Sequence, residues 1–116
     1  MSLYNWDEVH EEKLREDLSR KIISGEKVMV AQIFLKKGSE VAAHSHESEQ
    51  IIYLIDGSME VTMPSGKVKI NKGEVLVIPS NVEHSAVAVE DTIDMDIFSP
   101  IREDWLTGED SYLREQ

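Results

Sequence analysis

From Val28 to Phe98 the chain is built of short runs rich in β-branched residues, with apolar and polar positions alternating and turn residues between the runs. Helical periodicity is absent there, and the pattern predicts strands over residues 28–35, 41–44, 50–55, 58–63, 67–70, 74–78, 84–89 and 92–98. Lys37-Gly38-Ser39, Asp56-Gly57, Pro64-Ser65-Gly66, Asn71-Lys72-Gly73 and Pro79-Ser80-Asn81 lie between the runs and supply the backbone freedom or fixed φ of tight turns. Asp56-Gly57 is the clearest hairpin signal. Many short strands at this spacing predict an all-β sandwich or barrel. Two strands alternate cleanly: Met59, Val61 and Met63 face away from Ser58, Glu60 and Thr62, and Ile93, Met95 and Ile97 face away from Asp94, Asp96 and Phe98.

The two ends read differently. Asp7 to Ser19 is rich in charge, with Val9, Leu14 and Leu18 as scattered apolar points, and it allows either a short helix or an irregular N-terminal arm. The C-terminal tail after Pro100 is acidic and offers Trp105, Leu106, Tyr112 and Leu113 as anchors back onto the barrel. No repeat, linker or low-complexity segment interrupts the 116 residues, so a single domain over 1–116 is expected.

Composition removes several classes of function. Twenty-three acidic against twelve basic residues give a formal charge of −11, which repels phosphate backbones and anionic lipid surfaces. Nucleic acid is therefore not an expected partner. No apolar run approaches the ~18 residues of a membrane span, so no membrane partner is expected either. The start, Met1 to Asp7, has neither a basic stretch nor an apolar core, which predicts no signal peptide and a cytoplasmic location. With no cysteine, a metal site must rest on nitrogen and oxygen ligands.

That chemistry is concentrated in two segments. Three of the four histidines, His44, His46 and His84, stand in them beside Gln50. Side chains two or four apart on a strand share a face, so His44 and His46 can converge on one ion, with Gln50 and His84 completing the pocket. A lone buried histidine is usually satisfied by hydrogen bonds; three converging ones point to a mononuclear metal centre. Glu49 is the better ligand by charge, but it lies an odd number of residues from His46, and alternation turns it to the opposite face.

Gly38, five residues, His44, one residue, His46, three residues, Gln50, six residues and Gly57 resemble the first motif of the cupin family, with Gln50 at the position that is usually acidic. Gly73, five residues, Pro79, one residue, Asn81, two residues and His84 resemble the second, with Asn81 in place of a usual glycine and Ala88 in place of a usual asparagine. The motifs lie within residues 38–88. The resemblance implies a double-stranded β-helix, the cupin jelly-roll barrel, holding one divalent transition metal through His44, His46, Gln50 and His84. Three imidazoles and an amide leave the ion's double charge uncancelled, which favours Lewis-acid over redox work. Four ligands leave positions open on an octahedral ion and suit Ni, Mn, Fe, Co or Zn.

The stretch from Asp94 to Leu106 is similar to the ending of small cupins that process unsaturated sugar acids released from pectin or alginate. That similarity implies that Asp96, Phe98 and Arg102 line the pocket: Asp96 as general acid/base, Arg102 as a carboxylate grip, Phe98 as an apolar wall. The expected activity is ring opening and ketonisation of unsaturated monouronates to linear keto acids. Two alternatives are a cupin dioxygenase acting on a small organic substrate and a non-catalytic sugar-acid-binding cupin. Arg102 has a competing assignment as a surface pair with Glu103 or Asp104, and Tyr53, opposed to Gln50 by alternation, is expected to pack.

One conflict remains in the last strand. Simple alternation would bury Ile93, Met95 and Ile97 and leave Asp94 and Asp96 in water. The polar face can be the barrel interior only if the N-terminal arm or a second subunit covers the apolar face, so a homodimer is expected.

Overall fold

The computed structural model describes residues 1–114. Ten strands form two antiparallel sheets. The six-stranded sheet takes β1 (Glu12–Arg15), β2 (Leu18–Ser24), β3 (Met29–Leu35), β10 (Thr92–Ser99), β5 (Glu49–Asp56) and β8 (Val75–Ile78) in that spatial order. The four-stranded sheet is ordered β4 (Glu40–His44), β9 (His84–Ala88), β6 (Ser58–Met63) and β7 (Gly66–Asn71). Every strand expected between Val28 and Phe98 is present, with its ends displaced by a residue or two. The turns work as their composition requires. Gly57 joins β5 to β6 at φ 88°, and a side chain there would run into the Asp91 carbonyl and the Thr92 hydroxyl.

The core lies between the sheets, with Met29, Ala31 and Phe98 at one end and Leu54, Val61 and Ile78 at the other, all fully buried. β10 resolves the conflict in its own alternation. Thr92, Asp94, Asp96 and Phe98 are buried, while Ile93, Met95 and Ile97 are half-buried on the outer face. The polar face is the interior one.

The N-terminal segment departs from both expectations. It is neither a helix nor an arm lying over the sheet face: beyond a 3-10 turn at Trp6–Glu8, it adds β1 and β2 to the sheet edge beside β3. The reason is nonlocal. Arg20, inward-facing on β2 between Leu18 and Ile22, is wholly buried, and its guanidinium meets the equally buried Asp110 at 2.5 Å and Glu12 at 3.0 Å. It also donates to the Trp105 carbonyl at 3.2 Å and lies 4.7 Å from the centre of the Trp105 ring. A buried cation in a strand spoils the local apolar pattern, and the partner that makes it tolerable is far away in sequence.

After β10 come two short helices, α1 (Glu103–Thr107) and α2 (Ser111–Arg114). Trp105 and Leu113 anchor them as expected and Tyr112 is half-buried, but Leu106 points into solvent. α2 packs against β4 and β1, across one mouth of the barrel.

Removing the Asp110 carboxylate leaves the Arg20 charge buried without its closest partner. Asp110→Ala is expected to cost about 3–5 kcal/mol, read as a lower urea midpoint at unchanged m value. An unshifted midpoint would mean that Arg20 is reached by water.

Candidate metal centre and cavity

β4 and β9 place two imidazoles opposite each other: His44 is the cross-strand partner of His84. A register shift between Val41 and His44 lets both of these residues, three apart in sequence, turn inward. His46 stands just beyond β4, in a loop pinned from several sides. Its carbonyl accepts the Asn81 N–H at 2.8 Å, Ser80 Oγ donates to the Glu47 carbonyl, and Ser48 Oγ donates to the Pro100 carbonyl at 2.6 Å. Asn81 supplies its N–H from the left-handed region, φ 63°, which asparagine tolerates better than most residues. Gln50 is inward-facing and buried on β5, between Phe98 of β10 and Ile78 of β8, while Glu49 is exposed on the opposite face.

His44, His46 and His84 offer ligand atoms that all lie within 4.8 Å of one another. Their tautomers follow from the backbone. Each Nδ1 lies against a carbonyl, that of Ala42 at 2.7 Å, Ser48 at 2.8 Å and Val82 at 2.9 Å respectively, and a carbonyl can only accept. Nδ1 therefore carries the proton and Nε2 presents a lone pair to the interior, the arrangement that orients a metal-binding imidazole. Burial holds the rings neutral, taking His44 and His46 down to about 4 and lowering His84 as well.

Two contacts test whether a cation suits the site. His84 Nε2 is buried with no hydrogen-bond partner. His46 Nε2 lies 3.1 Å from Gln50 Oε1. The Gln50 amide is hydrogen-bonded to the Asp96 carboxylate, which only its nitrogen can do when that group is ionised, so its oxygen faces the imidazole lone pair. Two acceptors in contact and a third left unpaired are satisfied together by a shared cation. The residues fit a divalent ion, with Gln50 adjoining the histidine triad.

Asp96 sits beside this group on β10, across from Ala31 and Ile52. Burial pushes it up to about 6, against the pull of hydrogen bonds from Asp94 and Gln50 and of the Arg102 charge. Asp94, also buried and deprived of solvent, is raised well above the usual carboxylate range and carries the proton of the pair. Sequence reasoning left Asp94 without a role; its signal was the face it shares with Asp96.

Arg102 is buried rather than at the surface, although it does pair with Asp104, through Nε at 3.1 Å and Nη2 at 2.8 Å. It lies 5.2 Å from the ring centres of both Phe98 and Trp105, and its Nη1 has no hydrogen-bond partner. Phe98 is set one layer behind its expected place. Fully buried, it packs edge-on against His46 at 5.7 Å and Trp105 at 4.9 Å, and so supports Arg102 and the histidine loop. Tyr53 is exposed on the outer face.

These groups surround one cavity of about 50 Å³, lined by His44, Gln50, His84, Asp94, Asp96 and Arg102 among apolar side chains. Tyr112 of α2 closes it. Its ring stacks on His44 at 4.2 Å, and its hydroxyl accepts from Arg102 Nη2 at 2.8 Å and Trp105 Nε1 at 2.9 Å. The sequence marked Tyr112 as an anchor and gave no sign that it reaches the cavity.

Comparison with known proteins agrees with this fold. The Cupin domain model matches residues 32–99. The chain is 32% identical over 103 residues to the pectin degradation protein KdgF of Dickeya dadantii, covering 86% of this chain and 94% of that protein. The structure of KdgF from Halomonas sp. superposes with a TM-score of 0.83 at 31% identity, over 90% of this chain and 99% of the other. A crystal structure of an RmlC-like cupin from Shewanella frigidimarina gives 0.84 at 26% identity, over 90% and 96%.

Because burial disfavours the imidazolium, the metal-free protein is expected to keep His44 and His46 neutral well below the ordinary value near 6.5. Both should protonate close to pH 4. The imidazole Cε1–H resonances followed by NMR from pH 8 to 3.5 check this, and midpoints near 6.5 would mean that water reaches the rings.

Proposed function

The chain belongs to the cupin domain family, and we propose that its cavity opens and ketonises unsaturated monouronates, the sugar acids released from pectin or alginate, giving linear keto acids. The observation that carries this reading is the placement of a near-neutral carboxyl group, Asp96, between a glutamine-completed histidine triad and a buried arginine. Similarity to a pectin degradation protein over most of the chain supports it.

The reaction is an isomerisation. The bond between the ring oxygen and the hemiacetal carbon breaks, the hemiacetal hydroxyl loses its proton to become an aldehyde, and the ring oxygen becomes an enol oxygen. The enol then ketonises by losing its O–H proton and gaining one on the neighbouring carbon. No oxidant enters. A divalent ion held by His44, His46, His84 and Gln50, whether Ni, Mn, Fe, Co or Zn, would supply Lewis-acid polarisation of substrate oxygens with a charge that its neutral ligands do not cancel.

The chain's own residues do the rest. Asp96, poised near pH 6, exchanges the proton between the hydroxyl or enol oxygen and carbon. Asp94 donates to Asp96 and steadies its ionised form. Arg102 keeps Nη1 for the substrate carboxylate while Asp104 fixes its plane. Phe98 braces Arg102 from behind. The apolar lining excludes water from the proton transfers.

The protein works as a homodimer in this reading. On the outer face of the six-stranded sheet, Tyr53, Val75 and Val77 are exposed beside half-buried Ile51, Met95 and Ile97, a continuous apolar surface suited to a second copy. Light scattering coupled to gel filtration should give twice the chain mass, and a strict monomer would remove this part of the reading.

Metal-loaded protein given freshly generated unsaturated galacturonate should accelerate loss of the ene absorbance over the spontaneous reaction, with no oxygen uptake. Asp96→Asn should keep its metal and lose about 10²–10⁴-fold in rate. Full turnover in that variant would exclude Asp96 from proton transfer, and no acceleration with any of several metals would exclude the reaction itself.

A further inference from the structure

The polar groups left unsatisfied in the cavity describe its ligand. Arg102 Nη1 is a buried donor without an acceptor, and one oxygen each of Asp94 and Asp96 is a buried acceptor without a donor. Tyr112 adds a second donor. Its phenol oxygen already accepts from Arg102 Nη2 and Trp105 Nε1, so its own proton is left to give, and no described residue accepts it. Two free donors stand together at the α2 side of the cavity, and free acceptors stand on β10. The complement of that set is a molecule with a carboxylate at one end and hydroxyl groups at the other.

The same residue limits entry. About 50 Å³ is room for roughly three to five waters, too little for a six-membered sugar ring. The wall that carries Tyr112 is α2, four residues long, held by buried Leu113 and by Arg114, which pairs with Glu12 at 2.9 Å and with Asp110 at 2.8 Å. Tyr112, stacked on His44 at 4.2 Å, is the α2 side chain that must be displaced to admit a larger ligand and that would rest against it afterwards. β9, β10 and β5, which hold His84, the two aspartates and Gln50, are each paired on both sides within their sheets.

We propose that Tyr112 is a specificity-determining residue that closes over the substrate and donates its hydroxyl proton to the substrate carboxylate beside Arg102 Nη1. This rests on the monouronate reading in taking a sugar acid as the ligand, but its test is one of binding. Tyr112 adds selectivity for the charged acid over a neutral analogue, because a hydrogen bond to an ionised acceptor is worth more than one to an ester.

The experiment is calorimetric titration of the metal-loaded protein with galacturonate and with its methyl ester, neither of which carries the reactive double bond. Wild type should prefer the acid by tenfold or more. Tyr112→Phe should narrow that preference severalfold, with Arg102 holding the remainder, while its metal content stays unchanged. Retained preference in Tyr112→Phe, an equal loss of affinity for acid and ester, or no binding of galacturonate by wild type would each overturn the proposal.

Loss of the Trp105 hydrogen bond could weaken the fold of that variant, so a second measurement leaves the chain intact. With 3-fluorotyrosine in place of the three tyrosines, the fluorine signal of Tyr112 should shift on adding galacturonate while those of exposed Tyr4 and Tyr53 stay put. An unmoved Tyr112 signal at saturating galacturonate would count against it. Acid-selective binding that depends on Tyr112, in a protein that does not turn over the unsaturated acid, would leave this subsite standing and remove only the proposed reaction.

Discussion

Desolvation inside the barrel is the constraint on which the site depends. Each ionisable group there is shifted by the removal of water, and the shifts run in opposite directions according to the charge each group would carry. His44 and His46 are held neutral down to about 4 and His84 is lowered with them, while Asp96 is raised to about 6 and Asp94 is raised well above the usual carboxylate range. One interior thus presents imidazole lone pairs, a protonated carboxyl group and a carboxyl group near its midpoint at neutral pH. Arg102 is the exception, because a guanidinium does not give up its proton in proteins. Its charge is instead met by Asp104 and by the faces of Phe98 and Trp105.

Local backbone features place these groups. The register shift in β4 turns His44 inward opposite His84, and left-handed Asn81 donates to the carbonyl of His46. Each histidine is then locked by a carbonyl two residues away in sequence, so a loop or strand end fixes both the ring and its tautomer. The Pro79-Ser80-Asn81 turn belongs to the same arrangement: Ser80 and Asn81 tie the β8–β9 loop to the β4–β5 loop, and Ser48 ties that loop to the start of the C-terminal segment.

What could be read in the sequence was whatever repeats over a short range. The strands from Val28 to Phe98 follow from alternation and turn residues, and the four metal-side residues follow from spacing within two segments. The interior face of β10 was legible only through the resemblance that puts Asp96 in the pocket, against the alternation of Ile93, Met95 and Ile97. The N-terminal strands were hidden by Arg20, whose burial makes sense only once Asp110 is known to sit beside it. Tyr112 was hidden for a similar reason. Its neighbours His44, Arg102 and Trp105 are assembled by tertiary packing of a four-residue helix whose own sequence carries no periodic signal.

Gln50 lies between the histidine triad and the buried carboxyl pair of the cavity. Its oxygen faces His46 at 3.1 Å and its nitrogen donates to Asp96. A glutamate in the same place could serve the first contact but not the second. Two carboxylates would then face each other in a dry interior, and repulsion would drive one of them to hold a proton far above neutrality. The amide avoids that conflict. It would leave an ion's charge uncancelled, and it favours the ionised form of Asp96. The amide at this position thus suits its neighbour Asp96 on β10, two residues from the phenylalanine that pairs with Gln50 across the sheet.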